Sequence, residues 1–452
     1  DTDLWRLSLY ADHYFEDHSQ MFLLDYNGYG EGEQWNTKQK HRYFMYSLKD
    51  MMFGAQFDMK YGTWLRSLVF EYIYTKYQNP VIRNNCADPS VFDDRERSGY
   101  FYAYSTQNGT SGDENCVYLP VYKSTDMVNW ELVGNAFGGM ERPQWNSGTR
   151  IWAPDIEYID GRYVLYFALG HWENPALSAC GVAVSDSPEG PFTWENVKEI
   201  NPLANEHGML VDYASQGVSN AIDANIIRDQ KTGELYLFWG SFGSNSGGWA
   251  IQLTDDGLAV APGAQKTYIC YEMEGTYVHY KNGYYYCFGS MGSCCAGKNS
   301  TYHIVVARSQ NILGPYVGKD GKYMNTKSSA FNNTNNWIMS NPENLYYAGT
   351  GHNSEIITDD AGKDWMCYHA YWQGNNYDGR CMNMDEVLWG DGWPYFKTGH
   401  PSEGKVSGPS WLKAESKSGS ITIDNDNAKP LLETGDPCSC RNTWDYSPKE
   451  SN

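Results

Sequence analysis

The sequence predicts an all-β chain built as a five-bladed β-propeller, and three observations carry that prediction. Aromatic residues make up 15% of the 452 residues, with 37 Tyr and 17 Trp, and 45 Gly supply turn positions, a balance that favours strands and tight turns over helices. One hairpin pattern returns five times: a polar or acidic head, a short apolar strand, a polar turn carrying Gly, and an aromatic strand ending in small residues. The leading residues lie about 50 to 80 positions apart, and such radial repetition is the propeller's way of protecting sheet edges.

Residues 1–77 stand outside the repeat and are read as an N-terminal extension. They hold a polar, Gly-rich piece (DYNGYGEGEQWNTKQKHRYF) and then WLRSLVFEYIYTKY, whose nearly continuous apolar run leaves helix and strand open. The propeller is expected over residues 78–411. Its first copy is ADPSVFDDRERSGYFYAYST, headed by Asp88, with a turn at Ser98-Gly99. The second, WAPDIEYIDGRYVLYFALG, is headed by Asp155 and turns at Asp160-Gly161. Ser219 to Ser241 (SNAIDANIIRDQKTGELYLFWGS) forms the third, headed by Asp223. EGTYVHYKNGYYYCFGS, headed by Glu274 with an Asn282-Gly283 turn, is the fourth. HNSEIITDDAGKDWMCYHAYW, headed by His352, is the fifth and continues through RCMNMDEVLWGDGWPYF with a turn at Asp391-Gly392. The intervals exceed those of a short blade, so the stretches Gly170 to Ser219 and Gly318 to Gly351 are expected to be long loops carrying the excess, and with it binding function. Residues 412–452 are read as a short C-terminal tail, polar and ending near Cys438 and Cys440, which either docks on the extension or is partly mobile.

A formal net charge of -21 repels phosphate backbones and anionic lipid, so nucleic acid and membrane insertion are excluded as partners. A neutral polysaccharide is compatible with it, because sugar faces stack on Trp and Tyr without charge. No apolar run is long enough to span a bilayer and no signal peptide opens the chain at Asp1; the chain reads as a mature or trimmed form, monomeric, and secreted, cell-surface or periplasmic. The 11 Cys are odd in number and lack zinc spacing. The adjacent Cys294 and Cys295 offer either a vicinal disulfide or two buried thiols, of which the second is the expectation.

If each copy begins with the innermost strand of its blade, Asp88, Asp155, Asp223, Glu274 and His352 converge at one end of the axis. Gathering carboxylates is costly, since like charges raise one another's pKa. Glycoside hydrolysis gives a reason to do so: one carboxylic acid protonates the leaving oxygen while a carboxylate activates water or attacks the sugar. A third carboxylate nearby helps keep the acid protonated. Each residue alone reads as a turn starter or a solvated charge; the shared position in the repeat is what favours chemistry. For His352 a metal ligand, a substrate hydrogen bond and a satisfied core histidine are all open, with the core role preferred on the residues alone, as for His369 and His171.

Five motifs in order then resemble glycoside hydrolase family 43, and within it the arabinan-degrading members: ADPSVF at Ala87 to Phe92, WAPDI at Trp152 to Ile156, SNAIDANI at Ser219 to Ile226, EGTYV at Glu274 to Val278 and GHNS at Gly351 to Ser354. The segment GSCCAGKNSTYHIVVARSQNILGPYVGKDG is similar to the arabinanase branch. The resemblance implies inverting hydrolysis of α-1,5-linked L-arabinofuranosyl bonds of arabinan, with Asp88 as general base, Glu274 as general acid and Asp223 tuning and orienting the acid. It assigns Trp152, Asn220 and Ser241 to substrate, moves Asp155 to structure or pocket wall, and places His352 beside a calcium ion. Ala224 and Gly275-Thr276 depart from the family pattern without removing a carboxylate. Glu272 lies on the same strand face as Glu274; the repeat register favours Glu274, where the following Gly is expected to allow close approach of substrate. Other family activities, α-L-arabinofuranosidase or β-xylosidase, and a noncatalytic glycan-binding propeller are the alternatives.

Overall fold

The computed structural model describes residues 5–13, 51–59, 67–74 and 76–411, apart from 84, 108–116, 139–141, 144, 146–148, 243–246 and 342–345. The chain divides into two compact units, Tyr77–Pro409 and a second made of Asp1–Lys76 with Ser410–Asn452. In the second unit the strands Trp5–His13, Met51–Met59 and Ser67–Tyr74 form an antiparallel meander, with Trp5 stacked on Phe57 at 5.5 Å. The apolar run that left helix and strand open is therefore strand over Ser67–Tyr74. The tail, with Cys438 and Cys440, lies outside the described residues.

Tyr77–Pro409 is a five-bladed propeller of antiparallel sheets in chain order, four of them four-stranded and the last five-stranded. Blade 1 begins with Ser90–Asp93 and Phe101–Tyr104, blade 2 with Arg150–Ile159 and Arg162–Gly170, and blade 3 with Asn225–Arg228 and Leu235–Ser241. Blade 4 begins with Glu274–Lys281 and Tyr284–Met291. In blade 5, Tyr347–Gly351 and Ile356–Thr358 both pair with Asp364–Trp372, which pairs in turn with Arg380–Gly390.

The turns form where left-handed residues were expected. Asp160-Gly161 has φ of 50° and 83°, Asn282-Gly283 52° and 85°, and Asp391-Gly392 52° and 76°, the conformation a two-residue hairpin needs to match strand twist. The aromatic strands lie second in each blade and are sandwiched between neighbouring blades. Leu235–Ser241 is buried throughout, and Phe101–Tyr104 likewise. Burial on both faces explains why they read as continuous apolar runs without alternation. Trp239 and Trp365, both fully buried, are the largest side chains of this core; truncating either to Ala costs about 3–5 kcal/mol.

One expectation about loops is corrected. The stretch from Gly170 to Ser219 contains the third and fourth strands of blade 2, Ala179–Ser185 and Met209–Asp212, with three short helices. Likewise Trp337–Met339, within Gly318 to Gly351, is the fourth strand of blade 4. The long intervals arise because each blade carries a second hairpin whose sequence lacks the repeat's polar head.

The ring closes through the segment before blade 1. Asn79 donates its amide to Met384 O and Asp385 Oδ2 (both 3.0 Å) and accepts from Met384 N (2.9 Å). Tyr77 donates its hydroxyl to Met384 O (2.6 Å), and Cys86 N donates to Arg380 O (2.7 Å). These bonds fix the head of blade 1 against blade 5.

Candidate active site

Backbone conformation sets the register of the blade heads. Asp88, Ala153, Asp223, Gly275 and His352 have φ of 52°, 41°, 59°, 56° and 49°, a left-handed conformation that Asp and His tolerate better than most residues. These five positions are equivalent. The head of blade 2 is thus Ala153 and the head of blade 4 is Gly275, so Asp155 lies two residues past its head and Glu274 one before. Asp155 accordingly does not join the others. It sits one layer down, where its carboxylate accepts from Ser90 Oγ (2.9 Å), Asn225 Nδ2 (3.1 Å) and Ile226 N (2.8 Å), tying blades 1, 2 and 3 together. Asn225 extends the ring by accepting Val278 N of blade 4 (3.1 Å).

Asp88, Asp223, Glu274 and His352 line one cavity of about 380 Å³, together with Trp152, Asn220 and Ser241, a volume within the range of small-molecule sites. Glu272 is not among the lining residues. Gly275 makes room for His352: a Cβ there would fall 2.8 Å from His352 Nδ1. The close approach it permits is that of His352, a residue of the neighbouring blade.

The carboxyl groups occupy unlike environments. Asp88 accepts from Thr106 Oγ1 (2.6 Å) and Arg380 Nη1 (2.8 Å), and its backbone N–H donates to His369 Nδ1 (3.1 Å). Burial pushes the Asp88 carboxyl up, but Arg380, His352 and His369 outweigh it and hold the group well below the usual carboxylate range. Burial lowers the pKa of His352 and brings that of His369 to about 4. Both rings are therefore neutral near pH 7, and Arg380 is the cation that keeps Asp88 ionised.

Glu274 is pushed from 4.5 to about 7, by burial first and then by the charge on Asp88. The Ser241 hydroxyl, which donates to its Oε2 at 2.7 Å, and Tyr302 oppose the rise. Asp223 accepts Gly275 N–H through Oδ2 (2.9 Å). Its carboxyl is raised by burial and then by Glu274 and Asp88, so Asp223 and Glu274 titrate as a pair that keeps a proton near neutral pH. The pocket therefore holds a committed base and a retained acid.

Trp152 packs at 5.0 Å from the exposed Trp172. Gly170 makes room for it, since a Cβ there would lie 1.8 Å from the Trp152 ring. Asn220 anchors the next loop by donating N–H to Pro175 O (2.8 Å). Ser241 faces the acid carboxyl itself. His171, read from sequence as a core histidine, lines the pocket and accepts Asn174 N–H (3.0 Å). His369 is fully buried, but its Nε2 has no partner, and it stacks on Tyr302 at 5.6 Å.

Arg380, His369 and Tyr302 were missed as site residues. Arg380 opens the blade 5 strand Arg380–Gly390 and reaches the pocket only because closure lays that strand beside Asp88; no local motif marks it. Cys294 and Cys295 form a vicinal disulfide on the pocket rim, Cys294 half-buried and Cys295 exposed. The expected pair of buried thiols is thereby overturned: the loop faces the cavity, while the buried cysteines Cys86, Cys180, Cys270, Cys287, Cys367 and Cys381 are free.

Among the described residues no group of three or more His, Cys, Asp or Glu is set to hold a metal ion. Calcium takes six to eight oxygen ligands, and His352 offers one imidazole, with Asp88 committed to Arg380 and Thr106. A calcium ion held here would have to keep most of its water shell.

Comparison with known proteins agrees with this geometry. An extracellular exo-α-(1→5)-L-arabinofuranosidase of Cellvibrio japonicus is 30% identical over 320 residues, covering 65% of this chain and 82% of that protein. An extracellular endo-α-(1→5)-L-arabinanase of Bacillus subtilis is 29% identical over 290 residues, covering 62% and 80%. The solved α-L-arabinanase of Cellvibrio cellulosa superposes with a TM-score of 0.56 at 27% identity over 70% of this chain and 96% of its own. The sequence pattern of the glycosyl hydrolases family 43 matches residues 77–394, the span that contains blades 1 to 4, nearly all of blade 5 and every pocket residue described above, and the chain belongs to that family.

Proposed function

We propose that this glycoside hydrolase cleaves α-1,5-linked L-arabinofuranosyl bonds of arabinan by single displacement with inversion, outside the cell. The observation that carries the reading is the division of protonation in one pocket: Asp88 held ionised by Arg380, Glu274 held protonated up to about 7. Asp88 accepts a proton from water as the water oxygen attacks the anomeric carbon. Glu274 gives its proton to the glycosidic oxygen as the bond to that carbon breaks. Asp223, bonded to the amide that follows Glu274, holds the acid's backbone in place and shares its proton. Trp152 supplies an apolar face for a sugar ring, and Asn220 fixes the loop beside it.

The relatives' printed activities, arabinofuranosidase and endo-arabinanase on α-(1→5) linkages, and their extracellular naming support the substrate class and the location. A related arabinanase has been solved with arabinohexaose. A hydrated calcium ion would be held through His352, where it would add positive potential beside the carboxylates. The test is the product ladder from linear arabinan, followed by proton NMR of the first-formed anomer. Arabino-oligosaccharides or arabinose of inverted configuration are expected. Release from xylan alone, or initial retention of configuration, overturns the proposal.

A further inference from the structure

The vicinal disulfide lines the pocket, and the hydrolysis assigns it no role. It lies in the segment between Tyr284–Met291 and His303–Ser309 of blade 4. Glu274 pairs with Ser290 on the first of these strands, so the chain leaves the acid's own register partner, passes Met291 and reaches the disulfide four residues later. The segment is built to hold it there. Gly292 has φ of 93°, and a Cβ on it would meet Thr301 O at 2.5 Å. Ser293 is held as well: its N–H donates to Thr301 Oγ1 (3.1 Å), while Thr301 N donates back to Ser293 O (3.1 Å). Ala296 N donates to Ser300 Oγ (2.9 Å). Both ends of the turn are pinned, and the two cysteines form its crest.

Trp152 and Trp172 reach the same cavity from blade 2, with blade 3 between the two in the ring. The cavity thus has an aromatic wall and a sulfur wall rising from two different blades. A disulfide has no hydrogen to donate, its sulfurs are polarizable and accept hydrogen bonds weakly, and the ring it closes with its own peptide removes the rotation two separate Cys side chains would have. Those are the properties of a surface for the C–H face of a sugar ring.

We propose that the Cys294–Cys295 disulfide is a specificity-determining subsite wall, a preorganised apolar platform for a pentofuranose residue bound beside the scissile linkage. The proposal rests on the arabinan reading of the pocket. The platform acts on binding and leaves the proton transfers of Asp88 and Glu274 alone. Opening it to two thiols returns their rotamer freedom, which binding must then remove again, and exposes S–H groups to the sugar face.

The test uses the Glu274→Gln protein, in which turnover should be lost and binding kept, and arabinohexaose as the probe in isothermal titration calorimetry. Kd is measured before and after reduction by a water-soluble phosphine, in that protein and in the same protein carrying Cys294→Ser and Cys295→Ser. Reduction should weaken binding about fivefold, the serine variant should start at the weakened value, and phosphine should not change it further. Equal Kd in the oxidised and reduced states, or no hexaose binding in either, overturns the platform. A phosphine effect that persists in the serine variant also overturns it, by placing the sensitivity in other cysteines. Failure of the wild-type enzyme to cut arabinan is a separate result and refutes the hydrolytic reading alone. As a second readout, phosphine should raise the wild-type KM on arabinan by the same factor and leave the shape of the kcat pH profile unchanged.

Discussion

Replacing Glu274 by Gln should remove activity and stabilise the protein at alkaline pH, and both effects have one cause. The Glu274 carboxyl titrates at about 7 in the fold against 4.5 for the free group, chiefly because it is buried. A carboxyl raised in this way contributes stability that is fully present below its unfolded pKa and lost as pH rises through its folded one. The window of loss is therefore pH 4.5 to 7. A gap of that width has a ceiling of roughly 3 kcal/mol, and water entering the open cavity reduces it to roughly 1–2 kcal/mol. Gln keeps the shape and an oxygen to accept the Ser241 hydroxyl but does not titrate, so it escapes the loss. Urea unfolding with linear extrapolation at pH 4 and pH 8 reads the difference. Variant and wild type should be alike at pH 4, and the variant more stable by about 1–2 kcal/mol at pH 8, with turnover down roughly 100- to 10,000-fold. A gain that is the same at both pH values, or a loss at pH 8, refutes the argument that burial holds this proton; unchanged turnover refutes Glu274 as the acid.

Arg380→Met takes the cation from Asp88, so burial should win and the Asp88 carboxyl should rise. The acid limb of kcat/KM then moves to higher pH, with a loss of roughly 10- to 100-fold at pH 5, from a charge-assisted bond of about 1.5–3 kcal/mol, and a smaller loss at pH 8; a pH-independent loss in a full pH profile contradicts it. Gly275→Ala forces a left-handed conformation and pushes on His352, and should cost at least about 1 kcal/mol in urea unfolding together with more than about tenfold in kcat through displaced groups. Stability and rate equal to wild type would show that the head position tolerates a side chain. Asp155→Asn presents an NH2 to one of three donors that now find a carboxylate, so stability should fall by about 1–3 kcal/mol while the kcat pH profile keeps its shape; a shifted profile would place Asp155 in the chemistry.

The blade count and the three clustered carboxyl positions were legible in the sequence because they depend on local pattern. Each first hairpin carries its own head, its own left-handed turn at Asp160-Gly161 or Asn282-Gly283, and an aromatic strand buried on both sides. Second hairpins, such as the one containing Met209–Asp212, have no polar head and were absorbed into supposed loops. Arg380 was hidden for a topological reason: it lies 292 residues from Asp88 in the chain, and only closure of the ring brings the two to 2.8 Å. Arg380, which sets Asp88's charge state, and His369, which accepts its backbone N–H, both belong to the blade that is last in sequence and adjacent in space.

The one-residue displacement of the acid is a consequence of crowding at the axis. Five equivalent head positions point the backbone into the same small space, and in blades 1, 3 and 5 the head itself bears the functional group: Asp88, Asp223 and His352. Blade 4 cannot do the same, because any side chain at its head would collide with His352. Gly therefore occupies the head, its N–H goes to Asp223 Oδ2, and the carboxyl is presented from the preceding residue on a side chain one methylene longer than Asp. That displacement leaves the direct Arg380 bond to Asp88 and sets Glu274 against the Ser241 hydroxyl, with Arg380 acting on it only through space. Two carboxyl groups in one cavity acquire opposite protonation states because one is bonded to Arg380 and the other, presented one residue before the crowded head, is buried beside the first's charge. Asp at position 274 would fall short of that hydroxyl while leaving the head unchanged, so the length of the side chain and the glycine after it are a single structural requirement.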